Sequence, residues 1–127
     1  MEIRVEISGD VVERQELLNG TESVAIEGAD ASEAWTLSGS FSWNLGLVDY
    51  AGEGDLALVR GDDEIFATIT RARVSAASDA ADHSFMLTYE IDGGAGAFAG
   101  ASGSADARGT LAGGTFRGAW VLALSAP

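Results

Sequence analysis

Residues Ile91 to Gly103 read IDGGAGAFAGASG, glycines and alanines broken by one large side chain, Phe98. Four kinds of structure use so bare a stretch: a phosphate-cradling loop, a calcium-binding repeat, an unstructured linker and a sharply bent β-sheet. A dinucleotide fingerprint needs G-x-G-x-x-G between a strand and a helix. Here Gly94-Ala95-Gly96 is followed by Gly100, with strand signals on both sides. A calcium-binding β-helix repeat opens G-G-x-G-x-D, and this chain puts Phe98 in place of the carboxylate, with no second copy. A linker is not flanked closely by LTYEI and LAGGTFRGAWVLAL, whose apolar faces must pair with something. What remains is a tight turn at Gly93-Gly94 leading into a strand so short of side chains that the sheet bends and neighbouring backbone comes close. Phe98 then plugs a barrel end as a packing residue.

Outward from that stretch the chain has period two almost everywhere. In MEIRVEIS, Ile3, Val5 and Ile7 share one face and Glu2, Arg4 and Glu6 the other, the alternation of a half-buried strand. VVERQELL follows as a separate segment, read as strand over a helix because it lacks a clean cap. It ends at Asn19-Gly20, the dipeptide that favours a two-residue hairpin turn, with a return strand over Thr21 to Glu27. AWTLSGSFSWNLGL places Trp35, Leu37, Gly39, Phe41, Trp43, Leu45 and Leu47 on one face. It predicts one unusually long strand, bent at Gly39 around a barrel. GDLALVRG and EIFATITRARVSAA form a hairpin about Asp62-Asp63; SFMLTYEID adds a strand; two more meet at Gly113-Gly114. The prediction is an all-β chain, one domain over residues 1–127, with about eight antiparallel strands closed into a barrel or folded into a sandwich.

Composition narrows the functions. Twenty acidic residues against seven arginines and no lysine give a formal charge of −13. That charge repels nucleic acid and anionic membrane and keeps an apolar-rich chain in solution. Without cysteine there is no disulfide, thiolate nucleophile or thiolate metal site. The one histidine, His83, falls beside Asp82 in a polar connection, so no metal site is expected. The amino terminus alternates charged with apolar residues and offers no signal peptide. The longest apolar run, Ala119 to Leu124, is too short to cross a membrane as a helix, so the expected address is the cytoplasm.

The run TYEIDGGAGAFAGASGSADARG, preceded by GDLALVRG, resembles the end of the allene oxide cyclase and dirigent superfamily. There a strand leads into Gly-Gly-x-Gly-x-Phe-x-Gly-Ala-x-Gly and then another strand. The likeness covers roughly the second half of the chain; the first half agrees in strand count and length. It implies an eight-stranded antiparallel closed β-barrel of the allene oxide cyclase-like kind, with a largely apolar lumen, assembled as a homo-oligomer, dimer or trimer. Members bind a small hydrophobic molecule and guide a cyclisation or coupling with no cofactor. Bacterial relatives include polyketide cyclases of the spirotetronate-forming, Diels–Alder type. The plant enzymes' catalytic carboxylate and water-holding asparagine fall in segments that do not align with this chain.

An eight-stranded barrel is just wide enough to be filled by side chains or to hold one small ligand. Trp35, Phe41, Trp43, Phe85, Phe116 and Trp120 are the candidate ligand-binding residues, and beside Gly39, Gly46 and Gly118 they are expected to leave concave apolar space. Tyr89 and Tyr50 are the candidate catalytic residues, each donating a hydrogen bond to a substrate carbonyl. The rest of the rate would come from holding a linear precursor in a reactive conformation, a contribution of about 7–11 kcal/mol. Glu16, Asp49 and Glu90 are alternative acid–base groups, and Arg14, Arg71 and Arg73 either recognise a substrate acid or pair with neighbouring carboxylates. One histidine gives no hydrolase triad. Two other functions fit the same pattern: a barrel that carries an apolar metabolite without chemistry, and an assembly protein with a packed lumen.

Overall fold

The structure is a computed structural model and describes residues 1–17, 20–44, 52–76 and 82–125. Eight strands follow in chain order: β1 (Glu2–Glu16), β2 (Glu22–Ala29), β3 (Thr36–Trp43), β4 (Gly54–Arg60), β5 (Asp63–Ala76), β6 (Asp82–Ala95), β7 (Ser102–Ala112) and β8 (Thr115–Ser125). Each pairs antiparallel with the next, and β8 pairs with β1, so the sheet closes as the expected barrel. Closure gives every strand a partner strand on each side.

Period two puts alternate side chains inside. Val5 and Ile7, Val24 and Ile26, Leu56 and Leu58, Ile65 and Ala67, and Leu122 and Leu124 are all buried in one continuous core. Side chains of this size each contribute about 1.5–3 kcal/mol when taken from water. The wall is bent where an extra residue interrupts the register: Val12 on β1 between the pairs Val11–Ile26 and Glu13–Ala25, Asp92 on β6 opposite Phe66 and Ala67, and Thr70 on β5 opposite Thr88 and Tyr89. Such bulges kink a strand and increase its twist, which a closed barrel requires.

Some local expectations need correction, and others fall on residues outside the described ones. MEIRVEIS and VVERQELL are one strand, because Gly9 does not turn the chain but faces Gly28 on β2. A Cβ on Gly9 would lie 2.1 Å from the Glu27 carbonyl oxygen, so only glycine lets the two backbones come this close. After β1, Glu16 pairs with Glu22 and Leu17 N donates to Thr21 O at 2.7 Å; Asn19 of the expected two-residue turn lies outside the described residues. β3 begins after Trp35 and ends at Trp43, and the predicted continuation through Leu45 and Leu47 lies outside the described residues. Gly93 and Gly94 are inside β6, paired with Phe66 and Ile65, and the chain reverses later, through a 3-10 turn at Gly96–Phe98. Gly96 has φ of 63° there, a conformation that favours glycine.

The β4–β5 turn is Gly61-Asp62, one residue earlier than expected; Asp63 already belongs to β5. Its carboxylate accepts a hydrogen bond from Ala97 N at 2.8 Å and pairs with Arg60 at 3.5 Å. Arg60 in turn lies 4.7 Å over the Trp35 ring and 5.6 Å from Phe98. Trp35 and Phe98 pack with ring centroids 6.0 Å apart, so Phe98 fills this end of the barrel as its place in the glycine stretch implies.

Candidate functional site

All six aromatic residues singled out from the sequence are buried, as is Tyr89. They form two groups. Trp35 sits with Phe98 at the end just described. The other five run as a connected series: Trp43 lies 5.7 Å from Phe41, Phe41 5.2 Å from Phe85, Phe85 6.0 Å from Trp120, and Trp120 6.1 Å from Phe116. Most of these pairs are tilted and the last is edge-on, arrangements aromatic quadrupoles favour.

The barrel wall explains how so many rings fit. Gly109 on β7 faces Gly118 on β8, and toward the other end of β7 the inward residues Ala107 and Ala105 are also small. Of the glycines expected to leave hollow space beside the rings, Gly118 has a ring packed against it, Gly39 faces Asp55 and Leu56, and Gly46 lies outside the described residues. A Cβ on Gly109 would come within 2.5 Å of Phe85 Cζ, one on Gly28 within 2.9 Å of Phe116 Cζ, and one on Gly118 within 3.1 Å of Trp120 Cζ3. The rings themselves occupy the space that the missing side chains vacate. Concavities open on the outer wall, for example one of about 570 Å³ across β1 to β6 lined by Val12, Ser40, Asp55, Phe66 and Asp92.

Tyr89 stands inside this apolar surrounding, 3% exposed, between Ile69 of β5 and Ala105 of β7. Its hydroxyl oxygen accepts a hydrogen bond from Trp120 Nε1 at 3.3 Å, its one hydrogen-bond partner among the described residues. Burial pushes the Tyr89 hydroxyl well above the ordinary phenol range; the Trp120 N–H opposes that shift and the Asp55 carboxylate adds to it. Tyr89 is therefore a neutral phenol at physiological pH, able to donate a proton into a hydrogen bond but not to act as a base. Tyr50, the other candidate donor, and Asp49 lie outside the described residues.

His83 also departs from expectation. It is not in a polar connection but in β6, paired with Ala76 and Leu111, with its side chain 7% exposed. Its ring lies 5.5 Å from Trp43, at the barrel end opposite Trp35. His83 Nδ1 and Trp43 Nε1 are buried and have no hydrogen-bond partner among the described residues. The signal was present in the sequence, because His83 continues the inward series Phe85, Leu87, Tyr89 and Ile91. Beside them Ser42 and Asn44 are buried on what reads as the polar face of β3. Ser42 Oγ accepts from Glu53 N at 3.0 Å, so the segment leading into β4 covers it.

Glu16 and Glu90 are exposed, as are Arg14, Arg71 and Arg73. Among the described residues the ion pairs are Arg4–Glu6 and Arg60–Asp63, so these three arginines do not pair with neighbouring carboxylates. The described residues contain no cluster of three metal-ligating side chains and no helix long and apolar enough to cross a membrane.

Fold and interior together define a closed eight-stranded antiparallel barrel with an aromatic core and a few buried polar atoms. A solved structure of the same kind, described as a pyocyanin demethylase, superposes with a TM-score of 0.64 over 98% of this chain and 100% of that one, at 16% sequence identity. At that identity the likeness establishes the fold. Neither a known family profile nor a curated protein sequence matches the chain.

Proposed function

We propose that this protein binds a small, mostly apolar molecule through the interior of its barrel and folds it for ring closure without a cofactor. Tyr89 carries the reading. A buried phenol that accepts from Trp120 and gives its own proton to nothing among the described residues is an expensive feature, since an unmet buried donor costs about 1–3 kcal/mol. A carbonyl brought into the barrel would take that proton in a hydrogen bond, and the bond would strengthen as electron density built up on the carbonyl oxygen during cyclisation. Ring closure of a linear precursor is an isomerisation, so no other reactant is needed. The fold likeness to a protein named for acting on a small molecule supports the binding role, and the allene oxide cyclase resemblance of the second half supports the cyclase role.

A guest must displace rings to enter. The aromatic pairs along the interior are each worth about 0.5–1.5 kcal/mol beyond area burial, small enough to be exchanged for contacts with a flat or folded apolar molecule. The experiment is native mass spectrometry of the protein from its producing cells, followed by turnover of whatever small molecule co-purifies or of its linear precursor. Binding with turnover that falls about 100-fold or more in Tyr89→Phe supports the cyclase; binding without turnover leaves a carrier; no binding refutes both.

A further inference from the structure

We propose that the end of the barrel formed by Trp43 and His83 is a recognition point for a carbonyl oxygen, so that the bound molecule is an aromatic or conjugated compound carrying a neutral ketone- or quinone-type group there. The inference rests on the ligand-binding reading above and adds the class of ligand. Two polar side chains at this end are more than nine-tenths buried, Trp43 at 2% and His83 at 7% exposure, and Trp43 Nε1 and His83 Nδ1 have no partner among the described residues. The indole N–H can only donate. The imidazole Nδ1 donates in one of its two neutral tautomers, and the partner it meets selects that tautomer. A carbonyl oxygen has two lone pairs and takes both donors at once. The rings that bear the two nitrogens are 5.5 Å apart and tilted by 50°, and Phe41 lies 5.7 Å from Trp43, so the walls beside the two donors are aromatic faces. Such walls favour a flat unsaturated guest. The formal charge of −13 disfavours an anionic oxygen, which leaves a neutral carbonyl as the acceptor.

The test is equilibrium dialysis of the whole chain against two probes of nearly equal shape, 2-acetylnaphthalene and 2-ethylnaphthalene. The ketone is expected to bind at least about tenfold more tightly than the hydrocarbon. Trp43→Phe should bring the two within about twofold, chiefly by weakening the ketone. His83→Phe keeps a ring while deleting Nδ1 and provides the same readout if Trp43→Phe fails to fold. Equal binding of both probes to the wild-type chain would mean that water satisfies the two nitrogens; it would overturn this inference while leaving the binding role standing. A ketone preference that survives in both variants would also overturn it. Binding of neither probe would remove the binding role, and the inference with it.

Discussion

Alkaline pH should destabilise this protein through Tyr89. The chain has no lysine and no cysteine, so between about pH 9.5 and 12 the groups that titrate are its two tyrosines. In the unfolded chain Tyr89 ionises near pH 10, whereas in the barrel burial holds it protonated well beyond that. Above about pH 10 the unfolded state therefore binds fewer protons than the folded one, and stability falls as pH rises, by about 1.4 kcal/mol per pH unit. From pH 9.5 to 11.5 the loss is about 2 kcal/mol, a large share of a total that for single domains is about 5–15 kcal/mol. Urea titrations followed by tryptophan fluorescence, at half-unit pH steps, measure it directly. Tyr89→Phe should be less stable at neutral pH, since Trp120 Nε1 loses its acceptor, but its stability should be flatter above pH 10 by that same slope. A tyrosinate absorbance titration of the native protein showing both tyrosines ionising near pH 10, or an alkaline slope unchanged in Tyr89→Phe, would refute the reasoning.

Two further perturbations probe the wall and the turn. Gly109→Ala would place a Cβ 2.2 Å from the Arg117 carbonyl oxygen and 2.5 Å from Phe85 Cζ, so thermal unfolding should show a loss of about 3 kcal/mol or more. Gly114→Ala, whose Cβ meets nothing within 4 Å, should stay within about 0.5 kcal/mol of wild type, and equal effects at the two positions would contradict the close-approach account. Asp63→Ala removes the acceptor for Ala97 N and the partner of Arg60, and should cost about 1 kcal/mol while speeding hydrogen exchange at Ala97 and Ala101. Unchanged exchange there would mean the Gly96–Phe98 turn is held by Phe98 packing alone.

The parts of the fold legible in the sequence are those where large side chains mark every second position. Phe85, Leu87, Tyr89 and Ile91 gave β6 its inward face, and Phe41 and Trp43 gave β3 its buried rings. Where glycine takes over the marks vanish: nothing in Gly93-Gly94 distinguishes a turn from an extended strand, and the choice is made by β5, whose Ile65 and Phe66 pair with them. Gly9 misled for the same reason, because its partner Gly28 lies on another strand. The aromatic residues of the candidate site could be chosen from their faces, but not the way Phe85 and Phe116 reach into glycine gaps on other strands. Trp43 was chosen from its face, but its buried polar partner His83 was missed because, beside Asp82, it was read as part of a polar connection.

The fit of rings into glycine gaps also makes the interior a lock that opens one residue at a time. Shortening Phe85 beside Gly109, or Phe116 beside Gly28, removes a plug from a wall that has no side chain of its own to fill the space. Apolar voids made in this way stay dry and take up small guests such as benzene or xenon. The sequence thus carries a set of dormant chambers, each released by a single truncation, from which a host for chosen small aromatic molecules can be built.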